Sequence, residues 1–188
     1  MGRTHDAIDS RLETFLLAQP VFFVATAPLS GDGHVSCSPK SNNGELAVFG
    51  GHTIAYLDRT GSGVETIAHL RENGRTVLMF CAFQGAPRIV RLHGRGRAVW
   101  REHESFAGLA ARFKADSLTG ARAVVVVDVD RIADSCGFGV PLMTFTSHRR
   151  ELVGWADRKG EDGLVAYQRE HNSLSLDGLR ATEGVSES

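Results

Sequence analysis

Ser36, Ser38 and Lys40 occupy alternate positions in HVSCSPK (34–40), so on an extended backbone two hydroxyls and an ammonium share one side. A second polar stretch, from Tyr56, Leu57 and Asp58 through Thr60-Gly61-Ser62-Gly63, ends an extended run in a turn whose glycines let backbone approach a ligand closely. Behind it, Val64, Ile67, Ala68 and Arg71 have helical spacing, and Ser62-x-x-Glu65 has the form of a capping box. A helix start leaves N–H groups unpaired and carries a partial positive charge, which suits a phosphate. Mutual capping of Ser62 and Glu65 in an ordinary helix accounts for the same pattern. A third stretch contributes Arg88 and Arg91. The sharper reading of the three together is a site for an organic anion bearing a phosphate, whose chemistry would belong to the ligand.

Other chemistries find less support. The eight histidines include no HExxH, the three cysteines no CxxC, and His93 with His103 is not a recognised ligand pair, so no metal site is expected. No serine lies in a GxSxG elbow. Cys37 has no identifiable base, although His34 is near, and reads better as a small buried strand residue than as a nucleophile. Asp128 and Asp130, at i and i+2, mark the exposed end of a strand rather than a catalytic pair. The absence of GxGxxG and GxxxxGK[ST] argues against dinucleotide-binding and P-loop folds.

The elements that must position these residues follow from periodicity. Asp6 can cap a first helix with Ile8, Leu12, Phe15 and Leu16 on one face, stopped by Pro20. VFFVATA (21–27) and HVSCSPK (34–40) read as a hairpin around Ser30-Gly31-Asp32-Gly33, with Pro39 placing the second strand at an edge. Residues 46–49 and 53–58 continue a meander, and Asn73-Gly74 closes the helix after it. RTVLMFCAF (75–83) and ARAVVVVDV (121–129) are apolar enough to be covered on both faces. Between them, from Val90 to Arg101, Val90, Leu92, Gly94, Gly96, Ala98 and Trp100 face one way and Arg91, His93, Arg95, Arg97 and Arg101 the other. The plain reading of those arginines is a solvated outer face, with an anion site near Arg88 and Arg91 as the sharper one. Helices are expected at 102–113, 147–158 and 161–171. Short strands, tight turns and few helices favour an antiparallel barrel with peripheral helices.

The 188 residues suit a single domain over 1–179 and a disordered tail over 180–188. A net charge of −1 gives no reason to expect nucleic acid, no apolar run is long enough to span a membrane, and no hydrophobic signal region is evident. Three unpaired, widely spaced cysteines suggest a reduced, cytoplasmic protein. The two doubly apolar strands need cover, and a second subunit would supply it in a symmetric dimer.

FFVATA, HVSCSPKS, GELAVFGGHTIAYLDRTGSGVETIAHLRENGR, VLMFCAF and PRIVRLHGRGRAV, in that order, resemble the pyridoxamine 5'-phosphate oxidase-like flavoproteins. The resemblance covers about 15–129 and implies an FMN-binding split β-barrel that forms homodimers with the cofactor at the subunit interface. It implies that the strand carrying Val35, Ser36, Ser38 and Lys40 lies along the isoalloxazine. It further implies that Tyr56, Leu57, Asp58, Thr60, Gly61, Ser62, Gly63 and Thr66 meet the ribityl phosphate, and that Arg88 or Arg91 helps neutralise it. Trp155 is similar in placement to a tryptophan contributed across the dimer interface. Ser62 is followed by Gly63 and Val64 where the true oxidases have Arg-Lys, and Arg88-Ile89-Val90 stands for their Arg-Gln-Val. His34 roughly replaces an arginine, and the C-terminal arginine motif is not recognisable. These departures argue against vitamin B6 synthesis. The expectation is an FMN-dependent oxidoreductase acting on an unidentified small substrate. A deazaflavin-dependent reductase and a non-catalytic flavin- or haem-binding protein remain open.

Overall fold

The structure is a computed structural model and describes residues 2–182. Eight strands, β1 (Thr4–His5), β2 (Val21–Thr26), β3 (Ser36–Ser41), β4 (Leu46–Gly50), β5 (Thr53–Arg59), β6 (Arg75–Cys81), β7 (Ile89–Trp100) and β8 (Ala121–Ser135), form one antiparallel sheet. Its order is β3-β2-β6-β7-β8-β5-β4, with the short β1 pairing to β8. The helices are α1 (Ser10–Ala18), α2 (Glu65–Asn73), α3 (Phe106–Ala110) and α4 (Glu151–His171).

The sheet curls because the apolar residues at alternate positions of six strands must meet in one core. Phe22 and Val24 of β2, Leu46 of β4, Tyr56 of β5, Leu78 and Phe80 of β6, Leu92 of β7 and Val125 of β8 all join it, with Leu12 and Leu16 of α1. Phe22 stacks on Phe80 at 5.4 Å and meets Tyr56 edge-on at 5.6 Å. The curl stops short of closure. Among the described residues β3 pairs only with β2 and β4 only with β5, which leaves a split between the two edges that the Lys40–Asp58 contact spans. Pro39, which has no N–H to offer, sits on that edge as expected.

A second cluster lies outside the curl, where Ala55, Leu57, Val124 and Val126 pack against Phe106 and Ala110. β8 is therefore apolar on both sides as expected, but its outer cover comes from this chain's own α3. On the other half of the sheet, Phe23, Ala25, Val77 and Met79 are half-buried on the outer face.

Several boundaries differ from the sequence reading. Asp9, not Asp6, caps α1, its carboxylate accepting the Leu12 N–H at 2.7 Å. The helix expected over 102–113 is reduced to α3. β8 runs six residues past Val129 because a bulge opposite His93 and Gly94 skips Asp130. At that bulge a Cβ on Gly94 would lie 2.1 Å from the Asp128 carbonyl oxygen, so only glycine fits. Asp128 and Asp130 are exposed but lie within the strand, not at its end. α4 comprises the two expected helices broken at Gly160 (φ 68°, ψ 174°), the first beginning at Glu151. Gly74 closes α2 with φ 71° as anticipated. Cys37 is exposed, not buried. The expected tail begins too early: Arg180 bridges to Leu174 and Ala181 is buried, while 183–188 lie outside the described residues.

Truncating the ring at the centre of the core tests this packing. Phe22→Ala should lower unfolding stability by about 3–5 kcal/mol, read from the shift in denaturant midpoint.

Candidate functional site

Lys40 ends the alternating face of β3. Ser36, Ser38 and Lys40 are half-buried while Cys37, Pro39 and Ser41 are exposed, so the period-2 reading of this strand holds. Across the split, the Lys40 ammonium donates to Asp58 Oδ1 at 2.7 Å. The other carboxylate oxygen accepts from Arg122 Nε, also at 2.7 Å. Asp58 and Arg122 are both buried, and Lys40 is about one-fifth exposed.

Arg122 was not anticipated. In a regular β8 it would share a side with Val124 and Val126 and point into the outer cluster. The register between β5 and β8 instead shifts after Asp58, which pairs with Ala123 while Arg59 pairs with Ala121. Arg122 is the skipped residue, and the bulge turns its guanidinium toward Asp58.

The same guanidinium extends the network. Its Nη1 donates to Asn172 Oδ1 at 2.8 Å and its Nη2 to the Gly63 carbonyl at 2.9 Å. Asn172 Nδ2 donates to the Gly61 carbonyl at 3.1 Å, and Gln168 Nε2 to Thr60 Oγ1 at 2.8 Å. The Thr60 N–H donates to the Gly120 carbonyl. Every residue of the turn except exposed Ser62 is therefore held from the α4 side or by the core, Val64 through its buried side chain.

The N–H groups from Gly61 to Ile67 find no acceptor among the described residues. The capping box does not form. The N-cap is Val64 (φ −137°, ψ 8°), which makes no side-chain bond, and the Glu65 carboxylate lies beside Gly63, where a Cβ would come within 2.4 Å of Oε2. Free N–H groups at the start of a nine-residue helix are of the kind that suits an anion. The charges around them are Lys40 and Arg122 against Asp58 and Glu65.

Not every expected residue comes to this place. Tyr56 and Leu57 are buried in the two cores, one on each side of β5, so their side chains are closed to a ligand. Burial, with the nearby Asp58 charge, pushes the Tyr56 phenol well above its ordinary pKa, despite the lowering effect of Arg122. Its hydroxyl has no partner among the described residues, and Lys40 Nζ lies 5.7 Å from its ring centre. Thr66 is buried in the first turn of α2, and Val35 precedes β3 and is exposed.

Arg88 and Arg91 form part of another cluster at the opposite end of β7 from Trp100, whose partner Ala123 faces Asp58. Arg88 donates to Asp134 at 3.0 and 3.3 Å and stacks over Phe15 at 4.7 Å, and Arg91 donates to Ser135. Trp155 meets Tyr167 at 5.0 Å with Lys159 beside both rings. Within one chain, the site thus comprises Ser36, Ser38, Lys40, Asp58, the Thr60–Gly63 turn and the start of α2. Arg122, Gln168 and Asn172 are additions that no motif signalled.

Residues 8–136 match the family model described as pyridoxamine 5'-phosphate oxidase. The chain is 41% identical over 191 aligned positions to the pyridoxamine 5'-phosphate oxidase family protein ustO of Aspergillus flavus, covering 93% of this chain and 76% of that one. It belongs to the pyridoxamine 5'-phosphate oxidase family, and its incompletely closed antiparallel sheet is the split β-barrel of that family. Among solved structures, Group A Streptococcus HupZ (H111A) aligns with a TM-score of 0.51 and 18% identity, over 68% of this chain and 99% of that one. An FMN-binding protein from Syntrophomonas wolfei aligns with a TM-score of 0.48 and 18% identity, over 65% and 82%.

Burial raises the pKa of the Asp58 carboxyl, but the opposing charges and hydrogen bonds of Lys40 and Arg122 outweigh it and bring it down to about 2. With a folded pKa below the unfolded value, ionised Asp58 favours the folded state above about pH 4, and this contribution vanishes as the pH falls through about 2. Measured by chemical denaturation from pH 6 to pH 2, the wild type should lose about 2 kcal/mol more than Asp58→Asn.

Proposed function

We propose that the protein binds FMN through its phosphate and ring, and acts as a flavin-dependent oxidoreductase on a small substrate. The observation that carries this reading is the run of N–H groups from Gly61 to Ile67 that find no acceptor among the described residues, just beyond the Asp58 that holds Lys40, in a chain of the pyridoxamine 5'-phosphate oxidase family.

The residues fit such a ligand in kind. An ammonium has three donors and Lys40 commits one to Asp58, so two can turn toward an anion or a ring oxygen. Ser36 and Ser38 add hydroxyls on the same side of β3. The N–H groups at the start of α2 suit a phosphate, and no basic side chain replaces the Arg-Lys pair that the true oxidases carry after the serine. When bound, the flavin would supply the two-electron chemistry, while the chain binds it, orients it and places positive charge beside it.

A symmetric homodimer with the cofactor at the subunit interface completes the proposal. The half-buried face of Phe23, Ala25, Val77 and Met79, together with exposed Phe138, Leu142, Met143 and Phe145 after β8, is apolar surface that a second copy would cover. In such a dimer Arg88, Arg91 or Trp155 of one subunit would serve the other's flavin. We place this activity in the cytoplasm, on the grounds of its unpaired cysteines. No helix among the described residues is long and apolar enough to cross a membrane.

The visible spectrum of the purified protein, before and after incubation with FMN, tests the reading. A flavin band bleached by a nicotinamide donor is expected. A Soret band, a deazaflavin spectrum, or no binding of FMN would each overturn it. Lys40→Met should weaken FMN binding about tenfold or more through loss of a charge-assisted hydrogen bond, measured by quenching of flavin fluorescence.

A further inference from the structure

The peptide planes of the Thr60–Gly63 turn are oriented by side chains that come from far away in the chain. A trans peptide points its N–H opposite to its C=O. The Gly61 carbonyl is held by Asn172 Nδ2, so the Ser62 N–H in the same plane points away from α4. The Gly63 carbonyl is held by Arg122 Nη2, so the Val64 N–H points away from the guanidinium. Asn172 and Arg122 are themselves buried and bonded to each other, so neither carbonyl can rotate without breaking a hydrogen bond to a buried side chain.

We propose that Asn172 and Arg122, supported by Gln168, are positioning residues. They lock the turn so that the Ser62 and Val64 N–H groups converge on the phosphate of the bound cofactor. The inference deepens the flavin reading and rests on it.

The sequence shows why such a device is needed. Glycines at 61 and 63 permit the turn but leave it free to sample many conformations, and an unfixed turn would lose entropy on ligand binding. Neither position after Ser62 carries a cation to compensate. Fixing the backbone from behind supplies preorganisation where charge is missing. Asn172 lies at the C-terminal end of α4, with Gln168 one turn earlier on the same side, so one helix end holds both Thr60 and Gly61.

FMN and riboflavin share the ring and ribityl chain and differ in the phosphate, so the pair separates this role from general support of the fold. In the full-length protein, Asn172→Leu should weaken FMN binding about tenfold while riboflavin affinity stays within twofold, both by fluorescence titration. Gln168→Leu, at a half-buried site, should show the same selective loss to a smaller extent and decides the matter if Asn172→Leu does not fold. Equal weakening of both flavins, or unchanged FMN affinity in a folded variant, would overturn the inference. Failure of the wild type to bind FMN at all would instead overturn the cofactor reading, so the two outcomes are distinguishable.

Discussion

A buried carboxylate between two cations governs how this structure holds together at its opening. Asp58 is removed from water, which for an unpaired carboxylate costs several kcal/mol. Lys40 comes to it from β3 and Arg122 from β8, at equal distances of 2.7 Å. Among the described residues the sheet edges at β3 and β4 share no ladder hydrogen bonds, and the split is bridged from β3 to β5 by a side-chain ion pair in place of backbone. Such a bridge is directional, since each Asp58 oxygen has its own donor and neither cation can leave without stranding charge. Because Arg122 has further donors in reach of Asn172 and Gly63, the same carboxylate also fixes where α4 and the glycine turn stand.

Much of the fold was legible because binary patterning speaks directly to strands. The alternation of β7, the hairpin of β2 and β3, and the doubly apolar run of β8 all emerge with their faces as read. What escaped has a common cause. Arg122 and the extension of β8 both depend on bulges, and a bulge breaks the period-2 rule by which a strand residue is assigned to a face. Nothing in ARAVVVVDV announces that register shift, since it is set by how two strands meet and not by either alone. Caps failed for a related reason. Asp6 and Asp9 both satisfy the local rule, and packing of Ile8 into the core decides between them.

The site residues divide along the same line. Lys40 and the glycine turn were visible because strand parity and turn chemistry are local properties. Gln168 and Asn172 were not, lying more than a hundred positions away in a helix whose apolar pattern gives no hint of two amides turned toward residues 60 and 61. Tyr56 and Leu57 show the converse error. Adjacent to Asp58 in sequence, they were grouped with it, but burial on both faces of β5 sends their side chains into two separate cores. Arg88 looked like an anion ligand by charge alone, yet Asp134, which also accepts from Arg3 and His5, already engages it.

The charge distribution then limits how the turn can work. Lys40 and Arg122 bring two positive charges, Asp58 and Glu65 two negative ones, and the sum near the turn is close to zero. Long-range attraction therefore contributes little, and any preference for an anion must arise from oriented N–H dipoles at contact distance. Dipoles of this kind reward an exact pose and lose their effect quickly when they tilt, whereas a lysine on a flexible stem tolerates misplacement. A site that relies on them needs a rigid backbone, and a glycine-rich turn is not rigid by itself. The buried arginine and asparagine behind the turn reconcile the two, because they restrain the glycine carbonyls while adding no further charge on the ligand side.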